Sequence, residues 1–174
     1  MEQARTEWKT ADRTVLIESP FEEFFEGEQE RLLRILWMVT GSLHEAEDIA
    51  QEAFLKVWER WSDVSAMESP VGYLHRAAMN IFRNRYRRAA LAVRKAVGAG
   101  PPIDAFGAVE DRFSITRALG SLTPRQRAAL VLTELLDYSA EEAGQMLGVR
   151  ASTVRSLNAA GRSSLKNAKE LIDE

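Results

Sequence analysis

The stretch Tyr138-Ser-Ala-Glu-Glu-Ala-Gly-Gln-Met-Leu-Gly-Val-Arg-Ala-Ser-Thr-Val-Arg-Ser156 reads as a helix, a tight turn and a second helix. Ser139 and Glu142 have the spacing of a capping box, in which the Ser oxygen takes an orphan backbone N–H and the Glu reaches back. Ala143, Met146 and Leu147 fall on one helical face. Gly148 supplies the reversal, because glycine alone enters a left-handed conformation without steric cost. Val149 plugs the corner, and Ser152 or Thr153 is placed to cap a second helix that carries Val154 and Leu157 inward. Helices joined this way present the second one to a DNA major groove. The same pattern also suits a helical hairpin that only packs. The rest of the chain has to decide between them.

The 174 residues hold one ordinary domain or two small ones. With 45% hydrophobic and 28% charged residues the composition is that of a soluble globular protein. The chain has no cysteine, which excludes disulfides, thiolate chemistry and zinc fingers. His44 and His75 are its only imidazoles and belong to different segments, so no metal site and no cofactor is expected. No apolar run is long enough to span a bilayer or to form the core of a signal peptide. A cytoplasmic location is the expectation.

The net charge of −3 hides a strong asymmetry. Acids dominate from Glu18 to Arg60, whereas Pro70 to Lys95 contains none and accumulates Arg76, Arg83, Arg85, Arg87, Arg88 and Arg94. Such segregation suggests one surface for a protein partner and another for phosphates. A solvated acidic face and a basic helix end would give the same numbers.

Working outward from the opening motif, helix starts are easy to read. Ser19-Pro20-Phe21-Glu22 joins an N-cap Ser to Pro at the first helical position, and that helix ends at Gly41. Ser42 opens a second, carrying Ile49, Ala53, Phe54, Val57 and Trp58. A non-helical stretch is expected over Trp61 to Glu68. Ser69-Pro70 starts a third helix with Leu74, Ala77, Ala78, Ile81 and Phe82 at a 3.6-residue period. Between Ala89 and Asp111 the pattern fades into Gly98, Gly100, Pro101, Pro102 and Gly107, a linker with little to bury. A short helix from about Val109 to Leu119 follows. Thr123-Pro124-Arg125-Gln126 is another capped start, leading into Ala129, Leu130, Leu132, Leu135 and Leu136. No segment alternates like a strand.

The predicted fold is therefore all-α, with two small helical domains on a flexible linker. The boundaries are an N-terminal extension over 1–18, a first domain over 19–90, the linker over 91–108 and a helix-turn-helix domain over 109–174.

Two faces of the first domain bear on function. One carries Glu47, Asp48, Gln51, Glu52 and Leu55 opposite Ile49 and Ala53, with one side of Trp58 also turned inward. Acids and amides punctuated by apolar groups suit docking on a basic helical partner. They also suit an ordinary solvated face. On the other, Tyr73, Arg76, Asn80, Arg83 and Asn84 recur every three or four residues and share a face. Guanidinium binds phosphate, amides read base edges, and a Tyr ring stacks on an unpaired base. The irregular loop upstream is long enough to hold an extruded nucleotide, as a protein that opens a duplex requires.

In this order the residues resemble the extracytoplasmic-function group of RNA polymerase sigma factors. Phe21-Glu-Glu-Phe24, Leu32-Leu-Arg-Ile35, Glu45 to Trp58 and Gly72 to Asn80 look like that family's second conserved region. Leu122-Thr-Pro-Arg-Gln-Arg127, Tyr138 to Val149 and Ser152-Thr-Val-Arg155 look like its fourth. The resemblance implies that Glu47, Asp48, Gln51, Glu52, Leu55 and Trp58 bind the core polymerase. It implies that Trp61, Ser62, Asp63, Tyr73, Arg76, Asn80, Arg83 and Arg87 recognise and melt the promoter −10 element. Arg150, Ser152, Thr153, Arg155, Ser156, Asn158 and Arg162 would meet the −35 element. Promoter DNA and an anti-sigma factor are the other implied partners, and no residue would be catalytic.

The recognition helix is thin in positive charge, and Gly161 weakens it by about 1 kcal/mol relative to Ala. Weak −35 binding, rescued by tethering to polymerase, is the expectation. Three rivals remain. One is a stand-alone helix-turn-helix regulator whose first domain only dimerises. Another is a sigma-like interaction module that has lost promoter recognition. Last comes an enzyme using paired carboxylates such as Glu47 and Glu52, which lacks convergent His, Cys or Gly-rich phosphate loops.

Overall fold

In the computed structural model the described residues are 20–97 and 119–170, and they form seven α-helices and no strand. The expected Ser19 cap, the extension over 1–18 and the linker from residue 98 onward lie outside them, as does nearly all of the helix expected over 109–119. Helix α1 spans Pro20–Thr40, α2 Leu43–Glu59, α3 Trp61–Val64 and α4 Pro70–Val97. Helix α5 spans Pro124–Leu130 and continues as a π-helical turn over Val131–Leu135; α6 spans Ala140–Leu147 and α7 Ala151–Glu170.

The caps formed as the residue types dictate. Gly41 takes φ 77° to end α1, and Ser42 Oγ accepts from the Glu45 N–H to start α2. Ser69 Oγ accepts from the Gly72 N–H at the head of α4. Thr123 with Gln126, and Ser139 with Glu142, close reciprocal capping boxes at α5 and α6. Gly148 sits at φ 66°, and the N–H groups of Gly148 and Val149 both donate to the Gly144 carbonyl.

Four expectations need correction. Trp61 to Glu68 is not wholly irregular: α3 occupies its first half, because Trp61 and Val64, three apart, both turn inward. Helix α4 runs on through Val97, past residue 91 where the linker was expected to begin, since nothing from Arg88 to Val97 breaks a helix. Neither Ser152 nor Thr153 caps α7, which already begins at Ala151, with Arg150 O accepting from the N–H groups of Thr153 and Val154. Leu135 is exposed, because the π-helical turn widens the coil and shifts the 3.6-residue register.

Helices α1, α2 and α4 pack through Leu32, Leu36, Val39, Ile49, Ala53, Val57, Leu74 and Ala78. Helices α5, α6 and α7 pack through Ala128, Leu132, Met146 and Val154, and the two sets join in one continuous core. Gly161 is buried there, where an added Cβ would stand 2.8 Å from Leu130 Cδ1. Its cost in helix propensity is the condition for α7 to lie this close to α5.

Candidate nucleic-acid and protein interfaces

The outward face of α2 is open. Leu55 is 56% and Trp58 60% exposed, with Glu47 and Gln51 exposed beside them. Trp58 therefore shows more of its ring to solvent than the inward side expected from the helix period. Large apolar groups are normally withdrawn from water, and a cluster of them rimmed by acids and amides is what a docking surface looks like. Asp48 and Glu52 are half-buried and partly engaged: Arg85 of α4 lies 3.4 Å from Asp48 Oδ2 and 3.2 Å from Glu52 Oε2. Partial burial pushes the Glu52 carboxyl up, but its bonds to Arg85 and Lys56 outweigh this and hold it below the ordinary carboxylate value.

The face of α4 is arranged differently along its length. Arg76 and Arg87 are exposed, while Tyr73, Asn80 and Arg83 are half-buried. The Arg60 guanidinium lies 5.9 Å from the Tyr73 ring centre, and its Nη1 donates to the Tyr73 hydroxyl at 3.3 Å. One face of that ring is thus already covered by a cation. Ser62 and Asp63 are exposed at α3, with Asp63 3.6 Å from Arg60. Trp61 stands apart from them. Its ring packs on Phe21 at 5.4 Å and Phe24 at 5.0 Å, so it anchors α3 to α1.

On α7, Ser152, Thr153, Arg155, Ser156 and Arg162 are exposed, with Arg150 exposed at the turn. Asn158 is not among them. It is only 6% exposed, and its Nδ2 donates to Thr133 Oγ1 at 2.9 Å, so it ties α7 to the π-helical turn. Two of the arginines are engaged within the chain: Arg155 with Glu141 at 3.1 Å and Arg162 with Glu134 at 2.7 Å. The Arg155 bond is the main reason the Glu141 carboxyl is held below its ordinary value.

Residues that the pattern did not single out link the two segments. Arg127 is fully buried, and Nδ1 of His75 lies 2.9 Å from the Tyr138 hydroxyl. Arg127 belonged to a quoted motif, but a charge at a helix start reads as surface until the packing is known. Among the described residues no group of His, Asp and Glu could hold a metal, and no helix is long and apolar enough to cross a membrane.

Residues 24–91 match the family model described as Sigma-70 region 2, and residues 112–165 match Sigma-70, region 4. The ECF RNA polymerase sigma factor SigE of Mycolicibacterium smegmatis is 31% identical over 156 residues, covering 84% of this chain and 60% of that protein. SigM of Mycobacterium tuberculosis, also an ECF RNA polymerase sigma factor, is 30% identical over 146 residues, covering 83% and 74%. SigG of the same species is 29% identical, covering 86% of this chain and 48% of its own length. The chain thus spans between about half and three quarters of these relatives. The fold is shared with the sigma factor RpoE of Bartonella quintana, solved in complex with the anti-sigma factor NepR. There the TM-score is 0.65 at 19% identity, over 86% of this chain and 96% of that one. Mycobacterium tuberculosis SigJ superposes with a TM-score of 0.56 at 25% identity, over 82% of this chain and 52% of its own.

Proposed function

As the chain belongs to the extracytoplasmic-function group of the sigma-70 family, we propose that it binds core RNA polymerase and directs it to promoters. The observation that carries this reading is the open face of α2, where Leu55 and Trp58 stand exposed among Glu47 and Gln51. A helix that leaves a Trp and a Leu in water needs a partner to cover them, and the surrounding acids select a basic one. Asp48 and Glu52 contribute to the same face once Arg85 yields them.

The α4 face is assigned to the promoter −10 element, with Arg76, Arg83 and Arg87 on phosphates, Asn80 on a base edge and Tyr73 against an unstacked base. Ser62 and Asp63 flank it, and Trp61 holds α3 in place beneath them. The −35 element is assigned to Arg150, Ser152, Thr153, Arg155, Ser156 and Arg162, with Asn158 acting through the orientation of α7. The functional units are 19–90 and 109–174, with 91–108 between them. Polymerase supplies the chemistry, so no residue here is given a catalytic role, and the cytoplasm is where the protein would act. An anti-sigma factor remains a proposed partner, because faces of this kind need masking when transcription is not called for.

The test is promoter opening by the complex of this chain with core polymerase, read with a fluorescent base in the −10 element. Asn80→Ala and Arg76→Ala are expected to impair opening more than polymerase binding. Normal opening by both variants would remove the −10 assignment.

A further inference from the structure

A cavity of about 310 Å³ lies between α4 and the turn of the helix-turn-helix, and its wall holds three arginines and no acid. Arg83 and Arg87 come from α4, one turn apart, and Arg125 from the head of α5. Among the described residues none of the three forms an ion pair. Arg85, between the first two in sequence, shows the contrast, since it faces α2 and pairs with Asp48 and Glu52. Like charges that converge on a partly enclosed space repel, and protein walls screen them less than open water does. An anion in the cavity relieves that repulsion.

The neighbouring residues hold the guanidinium groups in place. The Tyr86 ring stacks on Phe82 at 6.0 Å, and the Arg125 guanidinium sits 5.7 Å from its centre. A cation–π contact, not a carboxylate, thus fixes Arg125 at the cavity. Gly148 leaves room for Arg83, because a Cβ there would be 2.5 Å from Arg83 Nη1. The turn therefore needs glycine for a second reason besides its φ of 66°.

Charge and size define the ligand. Guanidinium forks match phosphate oxygens and bind them in pairs. A single terminal phosphate carries at most about two negative charges, so three arginines are better matched by a diphosphate. Leu147, Val149 and Leu157 make the remaining wall apolar, which suits the uncharged part of an ester such as a nucleoside. The volume lies at the small end of the roughly 300–1,000 Å³ typical of small-molecule pockets, which leaves no room for a peptide helix.

We propose that this cavity is a binding site for a small diphosphate ester of nucleoside diphosphate size, held by Arg83, Arg87 and Arg125. Arg125 belongs to none of the faces assigned above to promoter DNA, so its side chain distinguishes this ligand from a nucleic-acid backbone. Where α4 serves the −10 element, the bound diphosphate competes for Arg83 and Arg87. That consequence rests on the −10 assignment, and the binding itself does not.

Isothermal titration calorimetry on the full chain at low salt tests it with adenosine diphosphate, inorganic pyrophosphate and adenosine. Both phosphate compounds are expected to bind at a single site, adenosine diphosphate more tightly, and adenosine not at all. Arg125→Ala should weaken adenosine diphosphate at least about tenfold, the loss expected when a charge-assisted bond is removed. Arg88 is exposed on the same helix but off the cavity wall, and Arg88→Ala should change the affinity by less than about twofold. Arg125→Ala should leave the affinity for a single-stranded oligonucleotide of −10 type within about twofold as well. Absence of binding by both phosphate compounds overturns the site. Equal weakening by Arg88→Ala reduces it to general attraction to a basic helix and overturns it too. A parallel loss for the oligonucleotide gives the arginines to a nucleic-acid backbone and overturns the small-ligand reading. Should Arg125→Ala lose its helical circular dichroism, the exposed Arg87→Gln takes its place, and unchanged affinity there counts against the proposal. All of this is read without polymerase, so a failure here is distinguishable from a failure to bind polymerase.

Discussion

Nδ1 of His75 lies 2.9 Å from the hydroxyl of Tyr138, a bond between α4 and the head of α6. Burial pushes the imidazole from its ordinary 6.5 down to about 4, and the Arg31 guanidinium of α1 acts in the same direction. Burial also raises the Tyr138 hydroxyl, helped by Glu142 and opposed by Arg76 and Arg31. Both groups are therefore neutral in the folded protein at ordinary pH.

A pH dependence follows with a definite sign. Between 6.5 and about 4 the unfolded chain takes up a proton on His75 while the folded one resists it. Stability should accordingly fall as pH is lowered through that window, by about 3 kcal/mol from this residue. Below the folded value the contribution becomes flat. Denaturant titrations at several pH values measure it, and His75→Gln should flatten the slope. An unchanged slope would assign the acid sensitivity to other groups.

Gly144 tests the helix-turn-helix itself. A Cβ added there would stand 2.8 Å from the Val149 carbonyl oxygen and 3.3 Å from the Ala151 nitrogen, both backbone atoms that cannot swing aside. Gly144→Ala is expected to cost about 2 kcal/mol, in spite of the better helix propensity of alanine. Thermal denaturation reads this directly. A neutral or stabilising outcome would show that the turn can spread.

The α2 surface can be probed without risk to the core. Trp58→Ala and Leu55→Ala remove exposed side chains, so helical content and melting temperature should stay near those of the parent protein. Affinity for core polymerase should fall at least about tenfold for each if they are central anchors. Retained affinity in both would move the docking surface elsewhere.

Much of this was legible because caps and periodicity are local. Ser42, Ser69, Thr123 with Gln126 and Ser139 with Glu142 sit within four residues of the backbone groups they bond, so the chain order alone reveals them. Gly148 was readable for the same reason, since its conformation belongs to the turn. What could not be read depends on partners distant in sequence. Asn158 faces Thr133 because the π-helical turn presents that hydroxyl, and Arg127 is buried because the end of α1 lies over it. A hydrophobic period also assumes a regular α-helix, which is why Leu135 was placed on the wrong side. At Trp61 the aromatic partners Phe21 and Phe24 on α1 decide the matter, and they are distant in sequence.

The paired arginines of α7 bear on the proposed −35 assignment. Under the proposed −35 assignment, Arg155 and Arg162 would reach phosphates in competition with Glu141 and Glu134, and exposed pairs of this kind hold only weakly in water. The full chain without polymerase should bind a −35 duplex weakly, with affinity falling steeply as salt is raised. Glu141→Gln should strengthen that binding by a few-fold at low salt. Tight, salt-insensitive binding would contradict the thin grip inferred here.

Run-off transcription with core polymerase, with and without this chain, tests the central claim most directly. Promoter-specific product that appears only when the chain is present, and is lost with Trp58→Ala and Asn80→Ala, is the result expected of a sigma factor. Duplex binding in the absence of polymerase, with no specific transcript in its presence, would contradict it.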